Sequence, residues 1–389
     1  MKLVDSIPNL RSERESPYVF VGRKTELGVL HTFWDQIVNY ESYQKGLFLI
    51  HGILGIGKTQ LMTQFTKQLQ HIYSDEKKSV FVHLDLHISN LTLEEARVSL
   101  EETLMRKRKV LKSIKRFDVR IFGTGAGIER FDQQSHSFNS LLTKMASWEP
   151  KPLILVTVDE VQQLKEEGVA VLELLHHGVN GLPMMVLCAG LQHSTSTLER
   201  FGLSRLGKVI NLSLLEREDC LNAFHSMGTN WDLDVEDTNV RRQLEILAEE
   251  TQYFPCHLQS YLTAMREVTY FLDTKAPSSK KSMTQEHWEE IESKGAKFRD
   301  EYYAFRVSSL DFSSAGIVMK LIAERLQQAD PIVSRDLHHI VRTTEEQTGE
   351  RIDSDYAIKR LIQSGCLEKN SFAEYTIPIP SFKSYLQTR

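Results

Sequence analysis

An eight-residue stretch near the start of this 389-residue chain constrains its fold most strongly. Residues 52–59 read Gly52-Ile53-Leu54-Gly55-Ile56-Gly57-Lys58-Thr59 and match the pattern G-x-x-x-x-G-K-[ST] without a gap. An apolar run at 47–50 precedes the stretch, and apolar residues at helical spacing follow it as far as Tyr73. A strand, a glycine-rich turn and a helix N-terminus together form a cradle whose backbone N–H groups bind a phosphate.

The residue types in this stretch predict how a nucleotide is held. We expect Lys58 to contact the β- and γ-phosphates and the Thr59 hydroxyl to hold Mg²⁺. The further contacts to the nucleotide are expected from Gly52, Gly55, Ile56, Gly57 and Gln60. ATP and Mg²⁺ are therefore the predicted cofactors. A chance glycine-rich turn is the alternative, and the strand and helix that flank the stretch argue against it.

A second apolar run, at residues 152–158, ends in two acids, Asp159 and Glu160. Such a continuous run is typical of a parallel strand that is buried on both faces. Ligands bind at the carboxyl ends of strands in open α/β sheets. We expect Asp159 to hold the Mg²⁺ and Glu160 to orient and polarise an attacking water. Lys58 and Glu160 are thus the predicted catalytic residues on this chain.

Length and composition limit the number of domains and the classes of partner. The chain is too long for one ordinary core, so two or three domains are expected. A net charge of −5 does not by itself favour binding to nucleic acid or to a membrane. No apolar run approaches a membrane span, and the N-terminus lacks a signal-peptide core. The cysteines, which show no metal-type spacing, predict reduced thiols in a cytoplasmic protein: Cys188, Cys220, Cys256 and Cys366.

The most basic part of the chain lies at residues 106–120, where a single acid, Asp118, stands among eight basic residues. Apolar residues keep a helical stripe there, so one face can pack while the other carries positive charge. Lysine and arginine that neutralise phosphates supply most non-specific affinity for DNA, which makes double-stranded DNA a candidate partner. A solvated helix face or an acidic protein partner is the alternative. The candidate DNA contacts are Arg106, Lys107, Arg108, Lys109, Lys112, Lys115 and Arg116.

The sequence Phe20-Val21-Gly22-Arg23, followed by Glu26 and Leu27 ahead of the phosphate loop, resembles the start of AAA+ and related STAND ATPases. The resemblance is to the initiator-like, origin-recognition group of prokaryotes, and it covers roughly residues 18–389. It implies that Val21, Gly22 and Arg23 lie against the adenine.

Two further stretches extend this resemblance. Residues 202–206 resemble a Ser-Arg-Leu element, which implies that Arg205 reaches the γ-phosphate of a neighbouring subunit and that the protein self-associates into oligomers. Arg200 is the nearby rival, and a surface arginine is the alternative. Residues 253–259 resemble the lid helix of these ATPases, which implies that Pro255 approaches the base. His257 then falls near the position of a second sensor arginine, and Gln192 is the candidate for the first sensor.

The predicted fold class is α/β: a P-loop NTPase parallel sheet of AAA+ type with a helical lid and a C-terminal winged helix. We expect five parallel strands, a helix over 161–175, and a winged helix with Ser334 and either Asp353 or Ser354 as helix caps. A wing hairpin is expected between Cys366 and Pro380. The predicted domains are a tail (1–17), a nucleotide-binding domain (18–215), a lid (216–275), a linker and helix (276–312) and the winged helix (313–389).

Two functions follow from these expectations. The first is an ATP-hydrolysing AAA+ protein that assembles into oligomers and couples nucleotide state to DNA engagement or remodelling. The alternative is a STAND-like nucleotide-gated switch or scaffold that engages a protein effector, for example in phage defence. Basic and acidic residues balance across the winged helix, which leaves DNA binding and protein docking equally open for that domain.

Overall fold

The computed structural model describes residues 19–39, 45–74, 80–88, 91–106, 138–177, 181–191, 194–200, 208–272, 280–312, 314–370 and 372–388. The chain forms two compact units. The first comprises Gly22–Gly52 and Ile56–Ser213, and the second comprises Ile53–Gly55 and Leu214–Arg389 together with residues 19–21. The predicted tail, most of the basic segment, Gln192 and Arg205 lie outside the described residues. Within them, no helix is both long and apolar enough to cross a membrane.

A five-stranded parallel sheet is the centre of the first unit, with strand order β2-β3-β4-β1-β5. Its strands are β1 (Lys45–His51), β2 (Phe81–Leu86), β3 (Leu153–Val158), β4 (Met184–Gly190) and β5 (Lys208–Asn211). Strands β3 and β4 are buried at every position, which explains why their sequences are apolar throughout. The edge strands β2 and β5 have exposed positions. The predicted parallel sheet is confirmed.

Six α-helices accompany this sheet among the described residues. They are α1 (Lys24–Asn39), α2 (Lys58–Ile72), α3 (Leu93–Arg106), α4 (Phe138–Ala146), α5 (Glu166–His177) and α6 (Ser194–Arg200). The face of α2 that the helical spacing predicts to be buried, with Leu61, Phe65 and Leu69, is buried. This burial fixes the helix that follows the phosphate loop against the unit's core.

The prediction of one helix over 161–175 was wrong. A 3₁₀ turn (Val161–Gln163) comes first, and α5 begins only at Glu166. Glu160 precedes the turn in the left-handed region (φ 56°), and Leu164 follows it with extended backbone (ψ 130°). The extended backbone of Leu164 breaks the helical path, so a single helix cannot run through residues 161–175.

Arg23 braces the loop that leads into α2. The side chain is 8% exposed. Its Nη2 donates to the backbone oxygens of Ile56, at 3.1 Å, and Ser213, at 2.6 Å. Its Nη1 donates to the Glu26 carboxylate at 3.2 Å. The planar guanidinium fork thereby links the phosphate loop to the segment after β5, a geometry that a lysine cannot reproduce.

Four helices with a shared apolar core begin the second unit. They are α7 (Arg217–Asn230), α8 (Thr238–Glu250), α9 (Pro255–Tyr270) and α10 (Gln285–Ser308). Asp237 caps α8, because its side chain accepts hydrogen bonds from the backbone N–H groups of Asn239 and Val240. Pro255 is the first residue of α9, a position at which proline costs no helical hydrogen bond.

The C-terminal part has the order of elements expected for a winged helix. It consists of α11 (Ala315–Gln328), β6 (Ile332–Val333), α12 (Ser334–Thr348), α13 (Ser354–Gln363), β7 (Glu368–Lys369), β8 (Glu374–Thr376) and α14 (Pro380–Thr388). The three strands form an antiparallel sheet in the order β6-β8-β7. Strands β7 and β8 pair as an antiparallel hairpin within the range where the wing is expected.

Details at three helix starts in this part test the sequence expectations. Asp353 caps α13 by accepting a hydrogen bond from the Tyr356 N–H at 3.0 Å. Of the two candidates for this cap, Asp353 and Ser354, the first is confirmed. Ser334 was wrongly predicted as a cap, because it is the first residue of α12 and Val333 precedes the helix. Helix α14 was not predicted. It begins at Pro380, and proline suits the first position of a helix. The sequence instead predicted Pro380 at the end of the wing hairpin.

A buried hydrogen-bonded chain connects three helices of the second unit. Nδ1 of His257 in α9 donates to the backbone oxygen of Thr251 at 3.0 Å, and its Nε2 lies 2.5 Å from the Tyr303 hydroxyl of α10. That hydroxyl lies 2.7 Å from Oγ of Ser381 in α14. Because the Thr251 oxygen can only accept, Nδ1 carries the proton and Tyr303 donates to Nε2. His257 is therefore held neutral as an interior link.

Replacement of Arg23 should destabilise the first unit. We expect Arg23→Lys to lower the free energy of unfolding by roughly 1–3 kcal/mol, because at least one buried carbonyl loses its donor. Thermal unfolding of the purified variant measures the effect. Lys24→Ala, a change at the exposed next residue, is the control and should match the parent protein. An Arg23→Lys protein as stable as the parent would show that the brace contributes nothing.

Acid should weaken the second unit through His257. Burial lowers the pKa of His257 to about 4, and the nearby Arg299 acts in the same direction. The unfolded chain, with an ordinary histidine pKa near 6.5, therefore takes up this proton first as the pH falls. Stability is unaffected by this group above about pH 6.5 and is lost progressively down to about pH 4, by about 3 kcal/mol in total.

The pH dependence of thermal unfolding measures this loss. A His257→Gln protein, whose side chain does not titrate, should lose less stability than the parent between about pH 7.5 and about pH 4.5. His225→Gln, at a less buried histidine, should keep the pH dependence of the parent. Equal losses in the parent and in His257→Gln would contradict the neutral, buried state.

Candidate nucleotide-binding site

The backbone of the phosphate loop prepares a helix start that can bind an anion. Gly55 (φ +83°) and Gly57 (φ +95°) take left-handed conformations that strain any residue with a side chain. Helix α2 begins directly after Gly57 with no side-chain cap on its N-terminus within the described residues. The first N–H groups of a helix have no partner inside it, and the helix dipole adds positive potential there. Gln60 lies in this first turn.

Lys58 is held against the loop it belongs to. Its side chain is buried, and Nζ donates to the backbone oxygen of Gly52 at 3.0 Å. The ammonium group carries a positive charge and three N–H donors, which is the chemistry that binds phosphate oxygens. The loop thus places a buried positive charge beside the N-terminus of α2.

Thr59 and Asp159 meet across 100 residues of sequence. The Thr59 hydroxyl donates to Oδ2 of Asp159 at 2.5 Å, and Oδ1 of Asp159 accepts from the Glu160 N–H at 2.8 Å. The carboxyl end of β3 and the first turn of α2 are therefore in direct contact. This contact requires the predicted parallel arrangement of the strands that carry the two motifs.

The oxygen atoms of Thr59 and Asp159 fit a magnesium ion. Mg²⁺ prefers oxygen ligands and is usually held by one or two carboxylates, with water and substrate phosphates completing an octahedron. Among the described residues, no group of three or more histidine, cysteine, aspartate or glutamate side chains could hold a metal by itself. One hydroxyl and one carboxylate therefore fit a cation that arrives with a phosphate.

Glu160 lies beside a cavity of about 530 Å³ in the first unit. The cavity lining also includes Thr59 and Asp159, so the three predicted site residues face one space. The Glu160 backbone is in the left-handed region, and its carboxylate accepts one hydrogen bond from the side-chain amide of Gln162. A water molecule in the cavity could reach this carboxylate, as activation of a water for hydrolysis requires.

His83 on β2 lines the cavity and is held there by hydrogen bonds within the protein. Its Nε2 lies 2.9 Å from the Thr157 hydroxyl, which in turn donates to the Asp85 carboxylate at 2.8 Å. Thr157 gives its one proton to Asp85, so His83 must donate to Thr157. Burial lowers the pKa of His83, and Asp85 partly opposes this shift. His83 is thus a neutral histidine whose Nε2 is satisfied by a hydrogen bond within the protein.

The structure brings together part of the predicted set of site residues. Thr59, Asp159 and Glu160 line one cavity in the first unit, and Lys58 directly precedes Thr59 in α2. Gly22 and Arg23 belong to the same unit, where Arg23 contacts the Ile56 backbone. Val21, Gly55 and Pro255 belong to the second unit.

Other predicted residues lie apart from this set. Arg106 is the last residue of α3, and its side chain is exposed. Its Nη2 lies 3.7 Å from Oε2 of Glu102. Lys107, Arg108, Lys109, Lys112, Lys115, Arg116 and Arg205 are outside the described residues, so their roles stay predictions. Sequence reasoning missed Gln162, whose amide contacts Glu160, and no motif signals that contact.

Comparison with protein families gives one match. Residues 19–187 match a family described as AAA ATPase domain. This range contains the phosphate loop, Asp159 and Glu160. No curated protein sequence matches the chain.

Solved structures resemble the chain over nearly its whole length. The ORC2 protein of Aeropyrum pernix in ADPNP-ADP complexes has 14% identity and a TM-score of 0.55, with 97% of each chain covered. Its ADP form has 12% identity and a TM-score of 0.56, with 96% of this chain and 95% of that chain covered. A structure of the Aeropyrum pernix ORC1 protein in complex with DNA has 12% identity and a TM-score of 0.48, with coverage of 98% and 95%.

The fold and the family comparison agree with each other. Identities this low show a shared fold and leave activity to be tested. The order of the parallel strands, the phosphate loop between β1 and α2, and the acids after β3 are the features expected of a P-loop NTPase. The predicted resemblance to AAA+ proteins is confirmed, and residues 19–187 are similar to the AAA ATPase domain family.

Proposed function

We propose that this protein binds ATP with Mg²⁺ at the N-terminus of α2 and hydrolyses it. The observation that carries the proposal is the contact between the Thr59 hydroxyl and the Asp159 carboxylate beside the buried Lys58. These residues supply two oxygen ligands for a cation and a positive charge for the phosphates. The ADPNP and ADP in the structures of the Aeropyrum pernix ORC2 protein, which shares the fold, support a nucleotide as ligand.

Each site residue has a defined part in this reaction. Lys58 contacts the β- and γ-phosphates, and Thr59 and Asp159 hold the Mg²⁺. Glu160 accepts a hydrogen bond from the attacking water and orients it toward the γ-phosphate. Arg205 of a neighbouring copy would stabilise the negative charge that develops in the transition state, which makes self-association part of the proposal.

We further propose that nucleotide state is coupled to engagement of double-stranded DNA. The basic residues at 106–116 supply the charge that a phosphate backbone requires. The C-terminal elements have the order of a winged helix, a class of domain whose helices contact DNA grooves. The structure of a protein of related fold in complex with DNA is a weaker likeness and adds no support of its own.

One observation favours the alternative function, a nucleotide-gated switch that engages a protein effector. In α13, the helix that a winged helix would present to DNA, Arg360 donates to Asp311 at 2.7 Å. The Tyr356 hydroxyl donates to the other oxygen of Asp311 at 2.8 Å. Asp311 thus offsets the positive charge of α13, which weakens its attraction to phosphates and suits docking to a protein.

Replacement of Glu160 tests the catalytic half of the proposal. Glu160→Gln should bind ATP as the parent does and hydrolyse it at least about a hundredfold more slowly, because the amide cannot act as a base toward the water. Phosphate release and ATP binding are measured on the same preparations. Glu167→Gln, a change at an exposed glutamate on α5, is the matched control and should keep the parent rate.

Equal turnover in Glu160→Gln and the parent would contradict the role of Glu160. A parent protein that retains ADP through purification and turns over less than about once per minute, far below common enzyme rates, would favour the nucleotide-gated switch.

The DNA half predicts a salt-sensitive interaction. Affinity for a duplex, measured by fluorescence anisotropy with an ATP analogue present, should fall steeply between about 50 and about 200 mM salt. Replacement of Lys107, Arg108, Lys109 and Lys112 by alanine should weaken binding and flatten the salt dependence. The paired change Arg241→Ala and Arg242→Ala, on the exposed face of α8, is the control. Binding that does not depend on salt, or no binding, would contradict the proposed engagement of double-stranded DNA.

A further inference from the structure

Gln162 joins the predicted catalytic glutamate to the end of a neighbouring strand. Its Nε2 donates a hydrogen bond to Oε2 of Glu160. Its Oε1 accepts a hydrogen bond from the Leu191 N–H at 3.2 Å. Leu191 directly follows β4 and lies 29 residues farther along the chain than Gln162. One side-chain amide thereby connects the carboxyl ends of β3 and β4.

The last residue of β4 leaves room for this amide. A Cβ atom on Gly190 would lie 2.9 Å from Oε1 of Gln162 and 2.1 Å from Oγ of Ser194. Both distances are shorter than real Cβ contacts, so a side chain at position 190 would displace its neighbours. The space at the end of β4 is therefore filled by two polar side chains, Ser194 from α6 and Gln162 from the segment after β3.

The hydrogen bonds to Glu160 fall on one of its two carboxylate oxygens. Gln162 donates to Oε2, and Nε2 of Gln163 lies 3.5 Å from that same atom. Within the part of the chain that the structure describes, Oε1 accepts no hydrogen bond. Because a carboxylate offers about four lone-pair sites, a carboxylate held through Oε2 keeps Oε1 able to accept from a water in the adjoining cavity.

We propose that Gln162 is a positioning residue, which holds Oε2 of Glu160 so that Oε1 is presented to the attacking water. The inference rests on the proposed hydrolysis of ATP at this site. Gln162 acts through Glu160 and need not touch the nucleotide. Orientation of this kind matters because small misplacements of a reacting group reduce turnover strongly. The contact to Leu191 anchors the amide that does the positioning.

Three changes separate positioning from a merely structural role. Gln162→Ala removes both contacts. Gln162→Glu keeps an oxygen for the Leu191 N–H and replaces the donor to Glu160 with a second carboxylate, so like-charge repulsion takes the place of the positioning contact. Lys165→Ala, at an exposed residue of the same segment, is the matched control. For each protein we would measure kcat and KM for ATP, the affinity for ATP and the thermal unfolding temperature.

We expect kcat to fall by roughly ten- to a hundredfold in both Gln162 variants, the effect of a lost hydrogen bond to a charged group. KM and ATP affinity of both Gln162 variants should match those of the parent, because Gln162 acts through Glu160 and not through the nucleotide. In a Glu160→Gln background, a further Gln162→Ala change should leave the residual rate unaltered, because the group it positions is already gone.

Two outcomes would overturn the inference while ATP hydrolysis stands. One is a Gln162→Glu protein with the parent's kcat. The other is a further loss of rate on adding Gln162→Ala to Glu160→Gln, which would show that Gln162 acts independently of Glu160. A parent protein that hydrolyses no ATP would instead overturn the proposed function and this inference with it, so the two failures are distinguishable.

Discussion

The contact between Thr59 and Asp159 is the interaction on which the nucleotide site depends. It exists only because β1 and β3 run in the same direction in one sheet, so that the loop after β1 and the acids after β3 reach the same edge. Burial of β3 and β4 along their whole lengths holds this edge in place. The hydrophobic pattern of the strands thus positions polar atoms that are 100 residues apart in sequence.

The groups around this contact are held by polar contacts of the protein itself. Arg23 fixes the backbone of Ile56 ahead of α2, and the Asp159 carboxylate bonds the N–H of the residue that follows it. Glu160 takes a left-handed conformation there, a strained backbone that often marks functional sites. In the second unit, both ring nitrogens of His257, which the resemblance places near a second sensor arginine, bond other groups of that unit. A neutral histidine engaged in this way offers no charge to a phosphate.

Sequence reasoning predicted the features that have a periodic apolar pattern or a short sequence motif. The five parallel strands, the phosphate loop, the acids after β3 and the cap at Asp353 each have a signal within a few residues. The break between Glu160 and Glu166 was missed because the apolar spacing continues through it, while backbone conformation decides the outcome. Helix α14 was missed because proline suits both a wing and a first helical turn. The contacts of Arg23 and Gln162 join residues far apart in the chain, so neither could be predicted without the fold.

The central claim is that a nucleoside triphosphate and its magnesium ion are held together at the start of α2. The most direct test is calorimetric titration of the purified protein with ATP, with and without Mg²⁺, in the parent and in Asp159→Asn. We predict that Mg²⁺ strengthens ATP binding to the parent and that Asp159→Asn removes most of this gain while weak binding through Lys58 persists. A protein that binds no ATP, or whose affinity is the same with and without Mg²⁺, would contradict the account.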